Sequence, residues 1–269
     1  MQSSEVAAYW EANARQWTRQ SRAGLDVYRD ALNTPAFLAM LPPVAGRSGL
    51  DIGCGEGTNT RRLARLGARM RAIDIAPTFV RHARNAEAAE PLDIDVLLGN
   101  ALSLPFADAS FDFATAFMSL MDMPDHERAL DEAWRVLRPG GFLQFSILHP
   151  CFAPPYRKVL REPDQSVRAI EVGRYFETEG ARLDTWWFSS LPRERRSEVP
   201  PFQVPYFHRT ISDWLNAIRR AGFLIEELGE PCATAALAAA VPLVADTRVA
   251  PLFLHIRAGK PAAPVRTPA

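Results

Sequence analysis

The sequence predicts an α/β fold with a doubly wound sheet. Three observations point to it. Short apolar runs alternate with amphipathic runs between residues 48 and 148, a glycine-rich turn directly follows the first apolar run, and 269 residues that are 48% hydrophobic suit one enlarged domain.

The alternation can be followed residue by residue. Glu5 to Arg19 reads as a helix with Tyr9, Asn13 and Trp17 on one face at four-residue spacing. Ser48 to Gly53 is a buried strand, and Thr58 to Leu66 a helix closed by Gly67. A second strand covers Arg69 to Ile75, a helix opened by proline covers Pro77 to Ala89, and a third strand covers Ile94 to Leu98. Phe111 to Phe117 is a fourth strand and Phe142 to Leu148 a fifth. Between them lie a helix from Asp125 to Leu137, with Ala129, Leu130, Ala133, Trp134 and Leu137 inward, and a Pro139-Gly140-Gly141 turn.

Regularity lapses over 150–209, where aromatic residues concentrate. A structureless loop of that length is uncommon, so an inserted subdomain is expected, with strands around Arg174 to Phe188 and Phe202 to His208. Thr210 to Asp213 has the spacing of a capping box before a helix that buries Ile211, Trp214, Leu215 and Ile218. Strands at Phe223 to Leu228 and Leu252 to Arg257 follow. The expected organisation is a helical cap at 1–45, a cofactor-binding core at 46–149, a substrate lid at 150–209, the rest of the core sheet at 210–258, and a flexible tail at 259–269.

Thirty-one basic and 31 acidic residues leave no net charge, so no global field favours DNA or an anionic membrane. No leader-like apolar stretch opens the sequence, and no segment has the ~20 apolar residues of a membrane span. Cys54, Cys151 and Cys232 are far apart and lack paired spacing, which argues against a zinc site or a disulfide framework. A cytoplasmic location suits them.

The informative segment is Leu50-Asp51-Ile52-Gly53-Cys54-Gly55-Glu56-Gly57. Glycines at alternate positions after a strand let a ligand approach bare backbone. A dinucleotide loop would want a small residue five positions after its first glycine, where this chain has the β-branched Thr58. Asp51 has no role toward a pyrophosphate, but could steer a cationic amino acid moiety or brace the loop.

With this block, the sequence resembles the class I S-adenosylmethionine-dependent methyltransferases, in particular small-molecule enzymes similar to quinone-biosynthesis methyltransferases. Further matching pieces are Asp74 in Ala72-Ile73-Asp74-Ile75, Gly99-Asn100-Ala101 before Leu104-Pro105-Phe106, Phe111-Asp112-Phe113-Ala114, and Arg135 to Gly141. The resemblance implies a Rossmann-like sheet of seven mainly parallel strands, with an antiparallel final hairpin. It implies S-adenosyl-L-methionine as cofactor and S-adenosyl-L-homocysteine as product. Asp74 would bind both ribose hydroxyls, Ile75 would pack on adenine, and Asn100 with Ala101 would recognise adenine, Asn100 replacing a more usual aspartate. Gly53, Cys54, Gly55 and Gly57 would form the cofactor loop. Gly53 and Phe117 would meet the methionine portion, Met118 or Ser119 would lie near the methyl group, and Tyr9 or Trp17 would close over the cofactor.

Methyl transfer requires alignment, exclusion of water and, for a protonated nucleophile, a base. His149 and His208, expected near the carboxyl ends of the strands, are the candidate bases, with Asp122 a further one unless it caps the helix near Pro124. His126 is expected to be solvated. Tyr175, Trp186, Trp187, Tyr206 and Phe207 either line an apolar or aromatic substrate pocket or form the insert's own core. The expected function is methylation of a small molecule, with oxygen preferred as acceptor atom. RNA methylation, cofactor binding without transfer, and nicotinamide chemistry are the alternatives; oligomeric state is not legible.

Overall fold

Strand β1 (Ser48–Ile52) forms because Leu50 and Ile52 point into one core layer while Asp51 points the other way. The computed structural model describes residues 1–262. Around β1 stand β2 (Arg69–Asp74), β3 (Asp95–Leu98), β4 (Phe111–Phe117), β5 (Leu137–Leu148), β10 (Leu224–Gly229) and β11 (Phe253–Gly259). Their order is β10-β11-β5-β4-β1-β2-β3. Pairing is parallel from β3 through β5 and antiparallel at β5–β11 and β11–β10. This is the expected seven-stranded, mainly parallel sheet.

Side-chain alternation produces the two layers. Leu63, Met70, Ala72, Val80, Phe113 and Phe142 fill one, beneath α3 (Thr58–Arg65) and α4 (Pro77–Ala89). Leu130, Ala133, Phe145, Trp214 and Ile218 fill the other, beneath α5 (His126–Val136) and α6 (Ile211–Arg220). The capping box at Thr210 and Asp213 is present at the start of α6. Strand order reverses between β1 and β4, which opens a crevice at their carboxyl ends, where such sheets bind ligands.

The N-terminal segment supplies α1 (Ser3–Arg22) and, after a π-turn at Arg29–Asn33, α2 (Thr34–Met40). Two antiparallel hairpins occupy the span between β5 and α6: β6 (Tyr156–Arg161) with β7 (Val167–Gly173), and β8 (Arg182–Trp186) with β9 (Phe202–Tyr206). A short helix, α7 (Ala235–Ala240), precedes β11.

Several expectations need correction. Trp134 lies on the rim of α5, 36% exposed, with the Lys260 ammonium 3.6 Å above its ring. β11 extends to Gly259 and Lys260 is buried, its ammonium donating to the carbonyls of Trp134 and Leu137, so the expected tail does not begin at 259. The rest of that tail, 263–269, lies outside the described residues. His126 is not solvated: it packs edge-on against Trp214, and burial lowers its pKa to about 3.

Candidate active site

The crevice opens into a cavity of about 700 Å³. Its floor is the glycine turn. Gly53 and Gly55 have φ of 73° and 57°, in the left-handed region that suits glycine. A side chain at Gly53 would strike Ser119, whose hydroxyl donates to Ile52 O at 2.6 Å and ties the exit of β4 to the exit of β1. A side chain at Gly55 would meet no atom within 4 Å, so this glycine faces open cavity space.

The N–H groups of this loop are committed inside the protein. Gly53 N and Cys54 N donate to Ile73 O at 2.8 and 3.0 Å, Gly57 N to Cys54 O at 3.1 Å, and Gly55 N to Asp74 Oδ2 at 2.8 Å. A pyrophosphate would find none of these donors free. Asp74 Oδ1 accepts from Ala76 N at 2.9 Å, so both carboxylate oxygens are fixed in place while each keeps a second lone pair. Burial raises the pKa of Asp74 to about 6, against the pull of those backbone donors.

Of the residues singled out for the cofactor, Trp17, Gly53, Cys54, Gly55, Asp74, Ile75, Asn100, Ala101, Phe117 and Met118 all line the cavity. Asn100 Oδ1 accepts from Leu102 N at 2.9 Å, which shapes the turn beneath Ala101. Met118 takes a left-handed φ of 54° directly after β4, backbone strain of the kind that gathers at functional sites.

Three of the expected cofactor residues lie elsewhere. Tyr9 is off the cavity; Val6, Trp10 and Trp17 line it, and Trp10 and Trp17 pack around Ala14, because one residue along a helix turns the face by ~100°. Asp51 sits behind the loop, accepting from Thr60 Oγ1 at 2.6 Å and Thr115 Oγ1 at 2.9 Å, so it braces the turn. Gly57 caps α3 at φ 87°, and a side chain there would press on Ala83 of α4 at 3.1 Å, so it serves close helix packing.

Both candidate histidines turn away from the cavity. His149 is buried with Nε2 2.9 Å from Glu230 and Nδ1 accepting from Cys151 N. His208 Nε2 lies 2.8 Å from Tyr175 O, with its pKa lowered by burial. Neither contacts the space where a reaction would occur. Asp122 does, and it is not the cap of α5, a role taken by Asp125, which accepts from Arg128 N.

The opposite wall comes from the β8–β9 hairpin, through Asp184, Trp186, Phe188, Val204 and Tyr206. The insert's aromatics thus divide. Trp186 and Tyr206 face the cavity, whereas the Trp187 indole donates to Val199 O, the Tyr175 hydroxyl accepts from Ile211 N, and Phe207 packs against Arg209. Sequence reasoning missed Asp26, Arg29 and Glu56 beside the glycine loop, where Arg29 bridges Asp30 and Glu56. Carboxyl groups at Asp26, Glu56, Asp74, Asp122 and Asp184 outnumber the two guanidiniums on the walls, Arg29 and Arg157. Among the described residues no cluster of side chains is arranged to hold a metal ion.

Comparison with known proteins agrees with this geometry. The family model described as "Methyltransferase domain" matches residues 50–145, from β1 into β5. A demethylmenaquinone methyltransferase of Tropheryma whipplei is 39% identical over 140 residues, covering 51% of this chain and 58% of the relative. The O-methyltransferase cnsE of Penicillium expansum is 35% identical over 165 residues, covering 58% and 57%. The chain thus matches little more than half the length of these relatives. A solved structure of an S-adenosylmethionine-dependent methyltransferase from Mesorhizobium loti is 30% identical, with a TM-score of 0.68 and coverage of 84% of this chain and 96% of that one. Identity at that level across nearly the whole solved chain, together with the open face of Gly55 and the carboxylate of Asp74 at the carboxyl end of β2, places the chain in the class I S-adenosylmethionine-dependent methyltransferase family.

Proposed function

We propose that the protein transfers the methyl group of S-adenosylmethionine to a hydroxyl oxygen of a small apolar or aromatic molecule. The observation that carries this reading is a single cavity with two chemically different walls: a glycine loop with a fixed carboxylate on one side and an aromatic hairpin on the other. Asp74 would hold the ribose, Ile75, Asn100 and Ala101 would surround the adenine, and Gly53, Phe117 and Met118 would meet the methionine portion, with Arg29 beside the glycine loop a guanidinium available to its carboxylate. When bound, the cofactor supplies an electrophilic methyl group on a sulfonium. The chain's own contribution is to align the acceptor and to keep water out, for which β8 and β9 act as the lid.

Relatives named demethylmenaquinone methyltransferase support a ring-bearing acceptor, and a relative named O-methyltransferase supports oxygen as the accepting atom. The excess of carboxyl groups over guanidiniums on the walls disfavours the phosphates of RNA and nicotinamide dinucleotides. No described helix is long and apolar enough to cross a membrane, and the three cysteines are free thiols, in keeping with a cytoplasmic enzyme. The test is transfer of labelled methyl from S-adenosylmethionine to a panel of phenols, quinols and aliphatic alcohols. Label is expected in the aromatic hydroxyl compounds. Binding of S-adenosylhomocysteine without transfer to any acceptor would favour a non-catalytic cofactor-binding protein.

A further inference from the structure

Asp122 is 7% exposed, lines the cavity, and makes no side-chain hydrogen bond or ion pair among the described residues. A carboxylate withdrawn from water without a partner is costly, and this one borders the space where an acceptor would lie. Its turn, Leu120–Asp122, follows β4 directly and so stands beside Met118 and Ser119 at the switch point.

The surroundings hold Asp122 in place without neutralising it. Arg209, before α6, donates to the carbonyls of Met123 at 2.6 Å, Phe207 at 3.2 Å, Pro124 at 3.4 Å and Met121 at 3.5 Å, so its guanidinium clamps the backbone of the turn and makes no bond to the Asp122 carboxylate. Asp184 on β8 is engaged by Arg182 on the same strand at 2.8 Å, and the Arg182 guanidinium lies 5.5 Å from the Tyr206 ring centroid. Tyr206, on β9, lines the same cavity and has a phenol pKa raised by burial and by both carboxylates. Burial and the charge of Asp184 push the pKa of Asp122 well above the ordinary carboxylate range, with Arg209 opposing. A base of that kind is better matched to a weakly acidic hydroxyl than an exposed aspartate.

We propose that Asp122 is the catalytic base, and that the acceptor it selects is an uncharged aromatic alcohol which donates its hydroxyl to Asp122 from between the aromatic walls. This rests on the methyl-transfer reading. The acceptor oxygen takes the methyl group with a lone pair, the carbon–sulfur bonding pair stays with sulfur, and the hydroxyl proton moves to an Asp122 carboxylate oxygen. An anionic acceptor would meet ionised Asp122 as a like charge.

The test uses 1-naphthol as probe and the intact protein saturated with S-adenosylhomocysteine, with binding followed by calorimetry across pH. Only ionised Asp122 can accept a charge-assisted hydrogen bond, so affinity is expected to rise about tenfold as pH rises through its titration. Asp122→Asn is expected to bind S-adenosylhomocysteine as the wild type does while losing that rise. Asp184→Asn, which removes the like charge, is expected to move the rise to lower pH. A wild-type affinity that does not change with pH, absence of 1-naphthol binding, or the same rise in Asp122→Asn would each overturn the assignment. Failure of S-adenosylhomocysteine to bind the wild type is a separate result that overturns the methyl-transfer reading beneath it.

Discussion

Asp74→Ala is expected to lower affinity for S-adenosylhomocysteine by roughly 100-fold, read by calorimetry. Two charge-assisted hydrogen bonds to ribose hydroxyls, each contributing about 1.5 kcal/mol or more, are lost together. The same carboxylate anchors Gly55 N and Ala76 N, so its removal also loosens the turn that must admit the cofactor. Unchanged affinity in a folded Asp74→Ala protein would remove the ribose assignment.

The pH dependence has a definite sign. Burial holds the Asp74 pKa at about 6, above its ordinary value of 3.8. Without cofactor, the group contributes stability that is fully present below pH 3.8 and is lost as pH rises through about 6. Cofactor binding runs the other way, because the ribose hydroxyls donate to the ionised form. Affinity for S-adenosylhomocysteine is therefore expected to fall as pH is lowered through about 6, with that fall absent in Asp74→Asn.

The second large effect is expected at Trp17. Its ring lies 5.4 Å from those of Trp10 and Trp186 and 5.0 Å from those of Phe188 and Phe202, so one side chain joins α1 to the hairpin that forms the far wall. Trp17→Ala is expected to cost about 3 kcal/mol, toward the lower end for a truncated aromatic because the ring is only half-buried. In thermal unfolding that corresponds to a fall of roughly 6–12 °C for a domain of this size. Proteolytic cleavage within 150–209 is expected to accelerate, and Trp17→Phe to restore most of the protection. A Trp17→Ala protein with unaltered melting and cleavage would show that the helix and the hairpin are not energetically joined.

The parts of the site that depend on local chain geometry were legible in the sequence. A strand, a glycine turn and a helix in direct succession have one compact arrangement, and Asp74 at the end of the next parallel strand must then stand beside the turn. Elements that depend on distant partners were not. The face of α1 was read one residue off, at Tyr9 instead of Trp10, because both are aromatic and only packing against Phe79 and the hairpin distinguishes them. His149 and His208 occupy strand-end positions that suit a base, yet the carboxylate of Glu230 and the carbonyl of Tyr175 draw their rings away. The β6–β7 hairpin has no buried face, so the apolar signal that marks a strand is weak there. Asp122 was visible as a residue, but its exposure to the cavity depends on a clamp from Arg209, 87 positions along the chain.

The most direct measurement is calorimetric titration of the purified protein with S-adenosylhomocysteine, with NAD as the control. A loop whose N–H groups are already bonded, beside an acidic wall, is expected to bind S-adenosylhomocysteine with micromolar affinity and NAD not at all. Preference for NAD, or binding of neither, would contradict the assignment of this cavity to S-adenosylmethionine.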